Sequence, residues 1–192
     1  MVPRVTVKPH EIVRAALELV REVGVEALSA RNIAKRLGIS TMPIYSHYPG
    51  MTELEAEVKK RAVQTLMEFQ RRPYTDNPFM NMAVGYVEFA RTEPHLMELI
   101  FLRGRQSPPP EGAEIKNVLV QILGDQAQEP GSQEMLEIPS IDDLAYKARI
   151  FGHGLAMMVY SGELAYLTQD DIIRMLSEAG EAFMLWELHH NK

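Results

Sequence analysis

Between Ser40 and Tyr48 the side chains able to do chemistry stand close together: Ser40, Thr41, Tyr45, Ser46 and His47 carry hydroxyls or an imidazole, with Met42 and Pro43 among them. A tyrosine hydroxyl and an imidazole can each donate to a phosphate oxygen without committing to a base sequence. Small and apolar side chains on the same face can lie against base edges. Signals for catalysis are missing: the chain carries no phosphate loop, no paired histidines on one helix face and no nucleophile elbow. Glu187 and His190 have Glu-x-x-His spacing, but a helix-bundle metal site needs that motif twice with further carboxylates. No catalytic residue, metal ligand or cofactor is expected.

The backbone that carries these residues reads as two short helices broken at one glycine. Ser29 can cap the first, whose inward residues Ile33, Ala34 and Leu37 fall at helical spacing. Gly38 supplies the left-handed residue that ends it. Ile39 fills the turn, and Ser40 or Thr41 is expected to cap a second helix beginning just before Pro43, a residue tolerated only in a first turn. Counting 100° per residue from Ile44, the opposite face carries Met42, Pro43, Tyr45 and Ser46, with Thr41 and His47 on the flanks. Such a face suits a helix lying in the major groove of double-stranded DNA. Arg31, Lys35 and Arg36 on the preceding helix are candidates for phosphate contact. The expected DNA-contacting set is Arg31, Ser40, Thr41, Met42, Pro43, Tyr45, Ser46 and His47. An ordinary helical corner, with His47 packed against the first helix, is the other reading of the same pattern.

The text from Ile12 to Leu54, with its Gly24, capping Ser29, Gly38-Ile39-Ser40 and Tyr45-Ser46-His47-Tyr48, resembles the N-terminal domain of TetR-family transcriptional regulators. The resemblance implies a three-helix domain that binds operator DNA, with Tyr45 and His47 at backbone and bases. It also implies an all-helical C-terminal domain that dimerises through its last two helices and binds a small effector. Two positions depart from the family pattern: Met51 stands where a lysine is usual, and Met42-Pro43 replaces smaller or hydroxylated residues. Farther on, Phe89-Ala90, Pro94-His95-Leu96, Phe101, His153-Gly154 and Ser161-Gly162 weakly resemble one group of the family's C-terminal domains.

Composition agrees. The 192 residues contain no cysteine, which excludes disulfides and thiolate metal sites. Neither a signal-peptide core nor a run of ~18 apolar residues is present, so a cytoplasmic protein off the membrane is expected. The net charge of −6 is uneven: residues 1–60 hold nine Lys and Arg against seven Asp and Glu, and the rest hold eleven against nineteen. That leaves a slightly basic end and an acidic body.

Periodicity predicts an all-α chain of about nine helices: a DNA-binding domain over 1–50 and an effector-binding and dimerisation domain over 51–192. The first helix, about 10–23, is expected to bury Ile12, Ala15, Ala16, Leu19 and Val23. Thr52 and Glu55 have capping-box spacing for a long fourth helix running to about Arg72, with Leu54, Val58, Ala62 and Leu66 inward. Asn77-Pro78 opens a fifth, and Leu96–Phe101 reads as a short buried one. A helix through Ile115, Val118, Leu119, Ile122 and Leu123 lies between two polar loops. Ser140 with Asp143, and Thr168 with Asp171, open the last two.

Both of those last helices are apolar on two sides and so must be buried on two sides. Leu155, Val159, Met175, Ala179, Phe183 and Trp186 are the expected intersubunit residues of a homodimer, although the pattern leaves open which face is intersubunit. Tyr86, Phe89, Met97, Phe101, His153 and Met157, large adaptable side chains with one imidazole, are the candidate lining of an effector pocket. The resulting expectation is a dimeric regulator, a repressor, that binds a palindromic site and is released by a small hydrophobic effector. The alternative is a helical ligand-binding or protein-interaction module that has lost DNA binding, suggested by Met51 and the acidic balance.

Overall fold

The computed structural model describes residues 7–102 and 141–190; the expected helix around Ile115 and its flanking loops lie outside them. Among the described residues eight α-helices appear and no strand. They divide into two compact units, one of residues up to Thr65 with 93–102, the other of Leu66–Thr92 with 141–190.

In the first unit α1 (Pro9–Val23) opens with a one-sided cap, the Lys8 amide donating to Glu11 Oε2 at 2.8 Å, and stops at Gly24, whose φ of +100° suits glycine. It buries Ile12, Ala15, Ala16, Leu17 and Val20. Ile12, Ala15 and Ala16 are thus buried as expected, but Leu17 and Val20 take the inward places expected of Leu19, which is half-buried, and Val23, which is 63% exposed. α2 (Ala30–Leu37) starts with Ser29 Oγ accepting from the Asn32 amide and ends at Gly38, left-handed at φ +67°. α3 (Met42–His47) follows with Pro43 in its first turn. Thr41 holds the capping position in a helical conformation and its side chain makes no capping bond, contrary to expectation. Its backbone carbonyl accepts instead from Ile44 and Tyr45.

α4 (Met51–Gln70) begins one residue ahead of Thr52, so Thr52 and Glu55 lie inside its first turns and do not form the expected box. Its stripe of Leu54, Val58, Ala62 and Leu66 is buried as expected. The chain rejoins the first unit at Glu93. There α6 (Pro94–Met97) runs into a π turn over Glu98–Leu102 instead of one continuous helix, burying Leu96, Met97, Leu99 and Ile100. Arg21 fixes this segment to α1 by a two-bonded clamp on Glu93, at 3.0 and 2.8 Å. Ile12, Ile33, Ile44 and Leu54 form the centre of the unit, each worth roughly 1.5–3 kcal/mol on burial.

In the second unit α5 (Pro78–Thr92) is capped by Asn77 Oδ1, which accepts from the Phe79 and Met80 amides. Buried Asn81 ties the preceding turn down, bonding Thr75 through both ends of its amide. Gly85 lets α5 lie against the last turn of α4 at backbone distance. α7 (Ile141–Tyr160) and α8 (Gln169–His190) pack on α5 and on each other. α8 opens with the expected box: Asp171 Oδ2 accepts from the Thr168 amide and hydroxyl.

Candidate nucleic-acid interface and effector site

The helix-turn-helix geometry brings Ser40, Met42, Tyr45, Ser46 and His47 onto one exposed surface, with Thr41 and Pro43 half-buried at its edge. Ile44 is 1% exposed and anchors α3 from behind. Met42 stands out at 69% exposure and Tyr45 at 50%. Two polar members are turned inward. Ser46 Oγ donates back to the Met42 carbonyl at 3.0 Å. His47 Nε2 donates to the Val7 carbonyl at 2.9 Å, so in the neutral ring Nδ1 carries no hydrogen for a phosphate. His47 is thus bonded to the segment that precedes α1, whereas the other reading packs it against the first helix. Tyr48 reinforces the tether by donating, at 3.5 Å, to the Pro9 carbonyl. Replacing His47 with alanine should cost about 1 kcal/mol in urea unfolding, since the Val7 carbonyl loses its donor; an unchanged midpoint would mean that the tether contributes nothing.

On α2, Arg31 and Lys35 are exposed. Arg36 is held by Glu22 through two bonds of 2.7 Å, with Glu18 at 3.3 Å, which joins α2 to α1. Those bonds keep the Glu22 carboxyl below its ordinary range. Arg31 and Lys35 are thus the exposed basic residues of α2 that no ion pair with α1 engages.

Of the six candidate effector residues, Tyr86 and His153 meet: the tyrosine hydroxyl lies 2.7 Å from His153 Nδ1. Burial pushes the Tyr86 hydroxyl up, and burial followed by the nearby charge of Arg149 holds His153 below its ordinary value. Both shifts favour a neutral pair in which the phenol donates. Phe89 is fully buried, edge-on to Phe69 with ring centroids 5.6 Å apart, and Met157 is half-buried on α7. Met97 and Phe101 belong to the first unit.

A histidine whose native value is depressed binds fewer protons folded than unfolded. Its contribution is therefore complete above about pH 6.5 and declines as the pH falls through that range. The urea midpoint of the parent should drop more between about pH 7.5 and about pH 5.5 than that of His153→Gln, which keeps an acceptor for Tyr86. Equal drops would remove His153 as the source.

Of the residues expected between subunits, Leu155 and Val159 are 4% and 5% exposed within the single chain. They face the chain's own core, because this side of α7 packs on α5 and α8. Met175, Ala179 and Phe183 are half-buried and Trp186 is 55% exposed. The outward apolar residues of the two helices are Tyr146, Ile150, Met158, Leu185 and Trp186. Glu187 is buried and paired with Lys147, an ion pair that spacing alone did not suggest. Among the described residues no three His, Cys, Asp or Glu side chains converge as a metal site, and no helix is long and apolar enough to cross a membrane.

Among the described residues the fold is all-α with an exposed helix-turn-helix face, an architecture that helix-turn-helix DNA-binding regulators share. Residues 12–58 match the bacterial regulatory proteins of the tetR family, and residues 79–183, more than half the chain, match the Tetracyclin repressor-like C-terminal domain. The chain belongs to the TetR family of transcriptional regulators. It is 27% identical over 107 residues to the uncharacterized HTH-type transcriptional regulator YobS of Bacillus subtilis (strain 168), over 54% of this chain and 56% of that relative. The chain thus matches little more than half the length of that relative. Among solved structures, a TetR-like transcriptional regulator from Rhodococcus sp. RHA1 superposes with a TM-score of 0.64 at 17% identity, covering 96% of this chain and 99% of that one. A TetR variant from Acinetobacter baumannii AYE in complex with minocycline gives 0.61 at 13% identity, covering 97% of each.

Proposed function

We propose that this chain is a cytoplasmic repressor that binds a palindromic operator as a homodimer and releases it on binding a small hydrophobic effector. Residues 1–50 would hold the DNA contacts and residues 51–192 the effector and dimer functions. What carries the reading is the exposed Met42–Tyr45 face on a helix whose opposite side is locked by Ile44. Dimerisation is supported by the outward apolar residues of α7 and α8, which a lone subunit would leave in water. It is supported too by Gly152, Gly154 and Gly180, where an added Cβ would meet nothing within 4 Å of the same chain. Each costs its helix roughly 1 kcal/mol relative to alanine, a cost that close approach of a second copy would offset.

We place the effector site at Tyr86, His153 and Met157, where the Tyr86–His153 pair lies one helical turn from half-buried Met157 with the charge of Arg149 nearby. The minocycline-bound structure of the Acinetobacter protein supports a small-molecule ligand for this fold. Release requires a ligand that favours the conformation whose reader helices no longer fit the half-sites. α4, which passes from one unit to the other at Thr65–Leu66, is the proposed lever. The test is fluorescence anisotropy with duplexes from the region upstream of the coding sequence. The parent should bind one palindromic site with an affinity that falls steeply with salt. Tyr45→Ala should lose at least about tenfold, with an unchanged melting midpoint. Tyr45→Ala binding as tightly as the parent would dismiss α3 as the reader.

A further inference from the structure

The reader helix has an unusual chemical inventory. Over Met42–His47 it contains no Arg, Lys, Asn, Gln, Asp or Glu. Guanine is ordinarily read by a bidentate Arg or Lys, and adenine by Asn or Gln. The hydrogens that α3 does own are mostly engaged by its own chain. The Ser46 hydroxyl is turned onto the Met42 carbonyl, and His47 Nε2 onto Val7. What remains outward is the Met42 thioether arm, the Pro43 ring edge and the Tyr45 ring with its hydroxyl. On the floor of the major groove the apolar group is the thymine 5-methyl.

We infer that α3 reads its half-site through thymine 5-methyl groups packed against Met42, Pro43 and the Tyr45 ring, so that the base pairs beneath it are A·T. Arg31 and Lys35, exposed on α2, then position the protein on phosphates. Met42 and Pro43, the departures from the family pattern, become the specificity-determining residues. The inference rests on the DNA-binding reading above and adds the class of base that is recognised.

The experiment replaces each thymine of the bound half-site with deoxyuridine, which removes only the methyl group, and separately each guanine with 7-deazaguanine. Binding of the full chain is measured by anisotropy. One or two deoxyuridine positions per half-site should weaken binding about fourfold each, the worth of one buried methyl. That loss should shrink toward onefold in Met42→Ala, whereas 7-deazaguanine should cost less than about twofold at any position. Tight binding of the unmodified duplex with no deoxyuridine effect overturns the methyl reading and leaves the DNA-binding reading standing. A 7-deazaguanine loss above about tenfold overturns it in the same way. Failure of the parent to bind any upstream duplex overturns both.

Discussion

Gly85→Ala should be the most destabilising single-methyl change in this chain, at about 3 kcal/mol. A Cβ there would lie 2.4 Å from the Phe69 carbonyl oxygen and 2.6 Å from Gln70 Cα. Both obstacles are backbone, so no side-chain rotation relieves them and the last turn of α4 must move away from α5. That movement also strains the 3.4 Å bond from Gln70 Nε2 to the Met82 carbonyl and the edge-on packing of Phe69 on Phe89. The measurement is urea unfolding followed by far-ultraviolet circular dichroism. A loss under about 0.5 kcal/mol would show that the helices separate at little cost.

Ile150→Glu should abolish operator binding without unfolding the chain. Ile150 is 57% exposed on α7, beside Tyr146 and in line with the open surface at Gly154, so a carboxylate there is solvated in the monomer. In the proposed dimer the same charge would be buried without a partner, which costs several kcal/mol. The expected product is a helical monomer by sedimentation, with at least about a hundredfold loss of affinity because each subunit carries one reader helix. Leu155→Glu is the contrasting variant. At 4% exposure it puts charge into the chain's own core and should unfold the second unit. A stable dimer of Ile150→Glu would place the subunit contact on another surface.

These two residues show how sequence and structure divide the information. The apolar stripes of the last two helices were legible as two-sided, and two-sidedness is a property of spacing. Assigning Leu155 to the interior and Ile150 to the exterior required knowing which side of α7 meets α5 and α8. Gly85 gave no signal of its own among Met82, Ala83 and Val84, since its function lies against Phe69, sixteen positions earlier. His47 shows the same limit: its type suggested phosphate contact, and its Nε2 is bonded to a carbonyl forty residues upstream.

What the chain's sequence determined by itself is what arises within one or two turns. Gly24 and Gly38 end helices because their positive φ suits glycine, and Pro43 and Pro78 sit in first turns because they lack an amide hydrogen. Ser29, Asn77 and Thr168 cap because a side-chain oxygen reaches an amide two or three residues on. Those signals place the helix-turn-helix and its outward face without reference to the rest of the molecule. Only the tertiary structure decided the Arg21–Glu93 clamp, the Tyr86–His153 pair and the Lys147–Glu187 ion pair. The two members of each lie between 40 and 72 positions apart. No local rule couples residues at that separation; they meet because burying the apolar faces of their helices fixes which polar edges come together.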